Sequence, residues 1–296
     1  MGLYVDPSIP RYTRSELVAE LNERFGAFHD GTLRRWQQVG LAATPRPDHR
    51  WQPGRRGSAP ALYSEHDRRM LIAILELRDR YSNEVGGQFE YSAVARFVVW
   101  SWAYWDVVID LDQAKRALRT CTEPQLAGPH GRARSRPRFE AYARQAVATV
   151  AAPGVADEQQ RAVATKLADV LWTGRVDELP MLERELDAVL DPDGIGRRVG
   201  APGVSVNAAE ELERLRIVHV GADAVLTDVG LIDADWYAAR HLMRVGWGEY
   251  QREWPTLVAT ATTPEVFDAP DAQYQVDRCP AVLLLLLGGR LVYPAA

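Results

Sequence analysis

The residues whose types could read a nucleic acid are concentrated in one short segment. Leu33 and Trp36 have the three-residue spacing that would turn both side chains inward on a helix. The side chains left on the outer face are Thr32, Arg34, Arg35 and Gln38. Arginine can bind guanine or phosphate through two hydrogen bonds, glutamine can bind adenine in the same way, and threonine suits phosphate. The segment therefore predicts a helix that contacts duplex DNA.

A loop rich in proline, glycine and arginine follows over residues 42–61. It could be the hairpin wing of a DNA-binding domain or an irregular surface loop. Its arginines could add contacts to phosphate or to the minor groove. They are Arg46, Arg50, Arg55 and Arg56. The alternative for both sets of residues is a small helical domain whose arginines are only solvated.

Capping signals predict the elements that must hold these side chains. Thr13 and Glu16 form a capping box, which predicts a helix over residues 14–24. Asp30 is a suitable N-cap for a second helix over residues 31–39. A glycine follows each segment and can end its helix. Two short helices joined by a glycine-containing turn are a candidate helix-turn-helix.

The segment from Thr32 to Leu41 resembles the recognition helix of MerR-family regulators, whose usual pattern is T-L-R-Y-[YW]-E-x-x-G-L. The segment from Leu62 to Asp67 is similar to the start of that family's helix after the wing. The resemblance covers about residues 11–80, and the wing is enlarged by several residues. It implies a winged helix-turn-helix domain that binds duplex DNA, usually as a homodimer on a near-palindromic site.

The resemblance also implies roles for individual residues. Arg34 matches an arginine that contacts the DNA backbone, and Trp36 matches an aromatic residue of the core. Arg35 stands where the family often has an aromatic residue that contacts DNA, and Gln37 stands where it has glutamate. These two departures are expected to change the exposed face of the helix and to remove a negative charge near DNA.

The rest of the chain predicts a mainly α protein with at most a small β element. Apolar periodicity predicts helices over residues 64–80, 91–118, 138–150, 157–173, 178–190, 207–217 and 235–252. Residues 218–226 could form a short hairpin, and residues 281–292 could be a strand, a strand pair or a final helix. A break at 82–87 divides the prediction into a DNA-binding domain over 1–82 and a helical region over 88–296. The helical region would serve oligomerisation or the binding of an effector or a partner.

The predicted helix that begins at residue 91 is unusually aromatic. The side chains that could line a ligand pocket or form an interface are Phe97, Trp100, Tyr104 and Trp105. Tryptophan and tyrosine do line ligand pockets. Aromatic residues three or four apart are more often part of a core or an interface. Both interpretations stay open at the level of sequence.

Composition and motifs argue against several other classes of protein. The net charge is −5, and the longest apolar run, Ala281 to Leu287, is far shorter than the roughly 20 residues of a membrane span. Cys121 and Cys279 lack the spacing of a disulfide framework or of a zinc site. His219 and His241 have acidic neighbours but match no catalytic motif. We therefore expect a cytoplasmic protein that is not an enzyme, needs no metal or cofactor and does not bind membranes.

Three hypotheses for function follow from the sequence. The first is a transcriptional regulator that binds DNA as a homodimer and could take a small-molecule or protein effector on its C-terminal region. The second is a DNA-binding accessory protein of a phage or plasmid, such as an excisionase-like, segregation or replication factor. The third is a protein-interaction module without DNA binding. A salt-dependent affinity for DNA would separate the third hypothesis from the first two.

Overall fold

Helices account for most of the described residues, which confirms the predicted mainly α architecture with a small β element. The structure is a computed structural model that describes residues 9, 11–26, 28–47, 61–85, 91–105, 109–122, 136–192, 207–260 and 272–294. The chain divides into two compact units, Met1–Cys121 and Thr122–Ala296. Within the described residues, no helix combines the length and the apolar character needed to cross a membrane.

The first unit combines helices with three very short strands. Its elements are β1 (Tyr12–Thr13), α1 (Arg14–Phe25), α2 (Asp30–Gln38), β2 (Arg46–Pro47), β3 (Ala61–Tyr63), α3 (Glu65–Val85), α4 (Tyr91–Tyr104) and α5 (Leu111–Cys121). The strands form an antiparallel sheet in the order β1-β3-β2. Tyr12 lies opposite Tyr63, and Arg46 lies opposite Leu62. Because β1 leads directly into α1 and β3 leads to α3, the sheet joins these helices at one end.

Reciprocal capping bonds start two helices of the first unit, including the predicted capping box at Thr13. The Thr13 hydroxyl accepts a hydrogen bond from the Glu16 amide at 3.3 Å, and the Glu16 carboxylate accepts one from the Thr13 amide at 2.8 Å. Before α3, the Asp67 carboxylate accepts a hydrogen bond from the Ser64 amide at 2.7 Å. The Ser64 hydroxyl in turn accepts one from the Asp67 amide at 3.2 Å. These bonds satisfy amides that have no partner inside the helix.

The predicted start of α2 is wrong by one residue. The N-cap is His29, whose Nδ1 accepts a hydrogen bond from the Thr32 amide at 3.1 Å. Asp30 lies inside the helix, where its carboxylate forms ion pairs with Arg14 and Arg34. An imidazole nitrogen can therefore replace the usual hydroxyl or carboxylate cap, and the aspartate becomes available for other contacts.

The first unit has a core that fixes the orientation of α2. Its buried apolar residues include Leu17, Leu21, Phe28, Leu33, Trp36, Leu41, Tyr63, Leu71, Ile74 and Leu75. The ring of Phe28 meets that of Trp36 edge to face, with 5.4 Å between the centroids. Burial of Leu33 and Trp36 confirms the predicted inner face of α2, so the opposite face is turned to solvent.

The end of α2 packs against α5. Gly40 has a φ of +79°, and a Cβ on it would lie 2.2 Å from the backbone nitrogen of Ala117. Only glycine allows this backbone conformation and this close approach without strain. One turn further along α5, the Thr120 hydroxyl donates a hydrogen bond to the Val39 carbonyl at 2.8 Å. These contacts make α5 part of the first unit.

The boundaries predicted after the third helix differ from those observed. The helix predicted over 64–80 continues to Val85, and the first unit extends to Cys121 instead of ending within 82–87. The single helix predicted over 91–118 is two helices, α4 and α5. Apolar periodicity alone did not detect the break between them because both segments are strongly apolar on one side.

The second unit is helical throughout its described elements. They are α6 (Arg136–Val150), α7 (Asp157–Thr173), a 3₁₀ helix (Val176–Leu182), α8 (Glu183–Asp187), α9 (Ala208–Thr227), α10 (Asp233–Thr260) and α11 (Ala272–Val292). The prediction of a helix over 157–173 is confirmed. The hairpin predicted over 218–226 is wrong, since these residues lie within α9. Of the alternatives for 281–292, the helix is the one observed.

Close backbone packing explains two glycines within the helices of the second unit. A Cβ on Gly221 would lie 2.2 Å from the carbonyl oxygen of Leu284, and a Cβ on Gly288 would lie 2.0 Å from that of Ile217. The two glycines therefore allow α9 and α11 to cross with their backbones in contact. Gly221 serves packing inside a helix rather than a turn between strands.

Candidate nucleic-acid interface

The outer face of α2 carries the polar side chains that the sequence predicts for it. Arg34, Arg35 and Gln38 are exposed, and Thr32 is half-buried beside its contact with His29. Arg34 is the most open of the ion-paired residues on this helix, with 66% of its side chain exposed. The face therefore presents two guanidinium groups and one carboxamide on a helix that the core holds in place.

Asp30 provides a counter-charge beside this face. Its carboxylate lies 2.6 Å from Arg34 Nε and 3.4 Å from Arg14 Nη1. All three side chains are at least one-third exposed, and ion pairs of this kind contribute about 0–1 kcal/mol to stability. Arg14 and Arg34 can therefore exchange Asp30 for a phosphate group at little cost.

Arg35 lies against α4. Its guanidinium carbon is 5.8 Å from the centroid of the Tyr91 ring. An exposed contact of this type contributes about 0.5–1 kcal/mol and limits the directions that the arginine can take. The contact orients Arg35 without burying it.

Gln37 was expected to change the exposed face of α2, and this expectation is wrong. The residue is half-buried, and its amide nitrogen donates hydrogen bonds to the Tyr63 hydroxyl at 2.8 Å and to the Ala43 carbonyl at 3.1 Å. Its amide oxygen accepts a hydrogen bond from Arg14 at 3.3 Å. An ionised glutamate could not donate the first two bonds. Gln37 thus connects α2 to β3 and does not belong to the exposed outer face of α2.

A groove of about 790 Å³ lies between α1 and α2. Its polar lining residues include Thr13, Arg14, Ser15, Asn22, His29 and Asp30. The N-terminal ends of both helices reach this groove, and helix N-termini attract anions through their free amides and their dipole. Together with Arg14, this arrangement suits a phosphate of a nucleic acid backbone. The predicted site omitted Arg14, Ser15 and His29, although the capping box at Thr13 already placed Arg14 at the start of a helix.

A buried carboxylate holds the sheet next to this groove. The Glu65 side chain accepts hydrogen bonds from Tyr12 at 2.6 Å, Arg11 at 3.1 Å, Arg68 at 3.1 Å and Arg69 at 3.0 Å. Burial disfavours the charged form, but the hydrogen bonds outweigh it and lower the pKa of Glu65 to about 2. The cluster ties β1 to α3 and so fixes the start of α1.

The arginines predicted for the wing are only partly within the described structure. Arg46 is half-buried in β2, at the edge of the sheet. Arg50, Arg55 and Arg56 lie outside the described residues. The predicted contribution of the wing to DNA contacts stays a prediction.

Aromatic residues of α4 form a cluster with Trp105, which directly follows the helix. The ring centroids of Trp100 and Trp105 are 4.4 Å apart, and that of Phe97 is 5.5 Å from Trp100 and 6.2 Å from Trp105. Trp100 is buried, Tyr104 is half-buried, and Trp105 is 44% exposed. Most of this cluster packs within the first unit, and Trp105 reaches the surface.

Comparisons with protein-family models, with curated proteins and with solved structures found no match for this chain. Within the described residues, no group of three or more histidine, cysteine, aspartate or glutamate side chains is placed to hold a metal ion. Cys121 and Cys279 are buried, and neither forms a disulfide within the described residues.

Proposed function

We propose that this protein is a sequence-specific regulator of transcription that binds duplex DNA through a MerR-like winged helix-turn-helix domain in its first unit. The observation that carries the proposal is the exposed Arg34, Arg35 and Gln38 face of α2 next to the groove at the N-termini of α1 and α2. These residue types suit base edges and phosphates, and the face is about the length of helix that enters a major groove.

The order of the elements supports this proposal. Two short helices, α1 and α2, are followed by the paired strands β2 and β3, which lie in one sheet with β1. A winged domain has the same parts, with the strand pair beside the recognition helix. The connection between β2 and β3 contains the arginines expected to reach the DNA backbone or the minor groove.

The mechanism would use the exposed face and the groove for different tasks. Helix α2 enters the major groove, where Arg35 and Gln38 meet base edges. Arg14 and the two helix N-termini bind a backbone phosphate and set the register of the protein on the duplex. Arg34 exchanges the Asp30 carboxylate for a second phosphate when DNA binds. The second unit would hold two copies of the chain at the spacing of the half-sites.

A salt titration of DNA affinity by fluorescence anisotropy tests the proposal. Duplexes of random sequence are compared with the DNA upstream of the gene, for wild type and for the double variant Arg34→Ala/Arg35→Ala. We expect the double variant to bind at least about tenfold more weakly and to lower the slope of log affinity against log salt by about one unit, because Arg34 contacts a phosphate and Arg35 contacts base edges. Arg24→Ala is the matched control, because Arg24 is also an exposed, ion-paired arginine on a helix of this unit.

Two results would contradict parts of the proposal. If the affinity is negligible, or if Arg24→Ala and the double variant weaken it equally, α2 does not form the DNA interface. The first unit would then act as a scaffold or as an interaction module. A protected DNA site without dyad symmetry would contradict the homodimer, while DNA binding itself would stand.

A further inference from the structure

The second unit contains a cavity of about 290 Å³ over the C-terminal half of α9. Its polar side chains, His219, Asp223 and Thr227, follow one another at four-residue spacing and so share one stripe of the helix. Apolar residues close the other sides, among them Val176 and Leu291. The volume is close to the lower limit of pockets that bind small organic molecules. We call this space the His219 cavity.

His219 is the reason to expect a ligand in the His219 cavity. The residue is 2% exposed, and neither of its ring nitrogens has a hydrogen-bond partner among the described residues. Buried polar side chains almost always have a partner, so two unsatisfied nitrogens on one ring are unusual. Burial lowers the pKa of His219 to about 4, so the ring is neutral near neutral pH. A neutral imidazole offers one donor and one acceptor to a bound molecule.

The surroundings of the His219 cavity favour a positive ligand. Asp223 is the charged residue among those that line it. Helix α7 ends at Thr173, next to Gly174, and α9 ends at Thr227. Gly174 and Thr227 both line the cavity. The C-terminal end of a helix carries a partial negative charge that attracts cations. Arg175, next to Gly174, uses its guanidinium to pair with Glu178 at 2.9 Å.

We propose that the His219 cavity binds a small organic cation, a primary amine on an apolar body. The ammonium group donates hydrogen bonds to the Asp223 carboxylate and to the unprotonated nitrogen of His219. The apolar body packs against Val176 and Leu291. This binding site is independent of the DNA interface proposed for the first unit.

A titration of the full-length protein with matched pairs of amines and alcohols tests the proposal. The probes are butylamine, hexylamine and benzylamine, each compared with 1-butanol, 1-hexanol or benzyl alcohol. The ring nitrogens of His219 are followed by ¹⁵N NMR at neutral pH, and dissociation constants are taken from the same titrations. We expect at least one amine to bind about tenfold or more tightly than its alcohol and to shift the His219 nitrogen signals.

Variants separate the His219 cavity from other amine sites. Asp223→Asn keeps the shape of the side chain, removes its charge and should abolish the preference for the amine. His219→Leu should weaken amine binding, whereas His241→Leu, which changes an exposed histidine on α10, should leave it unchanged.

The proposal is overturned if no amine binds more tightly than its alcohol or if the preference survives Asp223→Asn. It is also overturned if a saturating amine leaves the His219 signals unchanged, since ordered water alone would then satisfy the ring. The wild-type comparison needs no variant to fold.

Discussion

Glu65 in the first unit and His219 in the second are both buried ionisable side chains, but their surroundings are opposite. Glu65 is 7% exposed and His219 is 2% exposed. The Glu65 carboxylate accepts hydrogen bonds from Arg11, Tyr12, Arg68 and Arg69. His219 has no such partner within the described part of the chain. Glu65 is held charged, whereas His219 is held neutral.

The difference shows two uses of a buried polar group. A carboxylate with a full set of donors fixes a structure and has no capacity left for a ligand. A ring with unsatisfied nitrogens beside a cavity weakens the fold slightly and leaves hydrogen bonds for a bound molecule. The first unit is thus held by a polar network around Glu65. The second is held by close helix packing, at Gly221 and Gly288, next to a cavity.

The largest change in stability is expected where the second unit depends on close packing between α9 and α11. Gly288→Ala would place a Cβ 2.0 Å from the carbonyl oxygen of Ile217, so α9 and α11 would have to move apart. We expect the free energy of unfolding to fall by about 1–3 kcal/mol or more. Chemical denaturation measures the change.

Gly289→Ala is the matched control, because a Cβ there meets nothing within 4 Å. In the same helix this substitution should stabilise by about 0.5–1 kcal/mol, since alanine loses less backbone entropy than glycine. Equal effects of the two substitutions would mean that α9 and α11 do not cross with their backbones in contact.

The next largest change in stability is expected when the polar network around Glu65 is disrupted. Glu65→Gln removes the charge that several arginines share, and we expect a loss of about 1.5–3 kcal/mol near neutral pH. Because its folded pKa is about 2 against a usual 4.5, the stabilisation from Glu65 is complete above pH 4.5 and is lost as the pH falls towards 2. The difference in the free energy of unfolding between wild type and Glu65→Gln should therefore shrink as the pH falls from 4.5 towards 2. Glu76→Gln, in the exposed pair with Arg24, should change stability by less than about 0.5 kcal/mol.

His219→Leu should behave in the opposite way to Glu65→Gln. Removing unsatisfied nitrogens while keeping an apolar side chain should leave stability at neutral pH unchanged or raise it by up to about 1 kcal/mol. The folded pKa of about 4 lies below the usual 6.5, so wild type should lose stability as the pH falls from 6.5 to 4. The loss reaches at most about 1.4 kcal/mol for each pH unit. If His219→Leu loses as much stability as wild type between pH 6.5 and 4, His219 is not the group that titrates.

The smallest expected effect concerns Asp30, the counter-charge beside the outer face of α2, which we propose contacts DNA. Asp30→Asn removes a negative charge from α2 and frees Arg14 and Arg34 from their ion pairs. We expect DNA affinity at low salt to rise about three- to tenfold, with a smaller gain at high salt. Anisotropy titrations measure the change, and Glu76→Gln again serves as the control. An unchanged or lower affinity would mean that Arg14 and Arg34 do not contact DNA.

The sequence predicted those parts of the fold that depend on local signals. The capping box at Thr13, the inner face of α2 and the limits of α7 follow from neighbouring residues and are as predicted. The prediction of a hairpin over 218–226 was wrong because Gly221 lies inside α9. A glycine is needed there for close packing against a backbone carbonyl of α11, more than 60 residues away in sequence. No local pattern separates a glycine needed for packing from one needed for a turn.

In the candidate sites, too, local sequence patterns predict only what a single element determines. The outer face of α2 could be predicted because one helix determines it. The groove beside it needs the ends of two helices, and the role of Gln37 depends on Tyr63, 26 positions further along the chain. The His219 cavity could not be predicted, since burial without a partner is a property of the folded unit.

The central claim, that α2 lies in the major groove, is tested most directly by protection of guanine N7 from methylation by dimethyl sulfate. A DNA site selected from random sequence is probed at saturating concentrations of wild type, Arg35→Ala and Arg24→Ala. We predict protected guanines in two half-sites for wild type and Arg24→Ala, and loss of at least one protected guanine per half-site for Arg35→Ala. Identical patterns for all three proteins, or no protected N7 in a bound site, would contradict the claim.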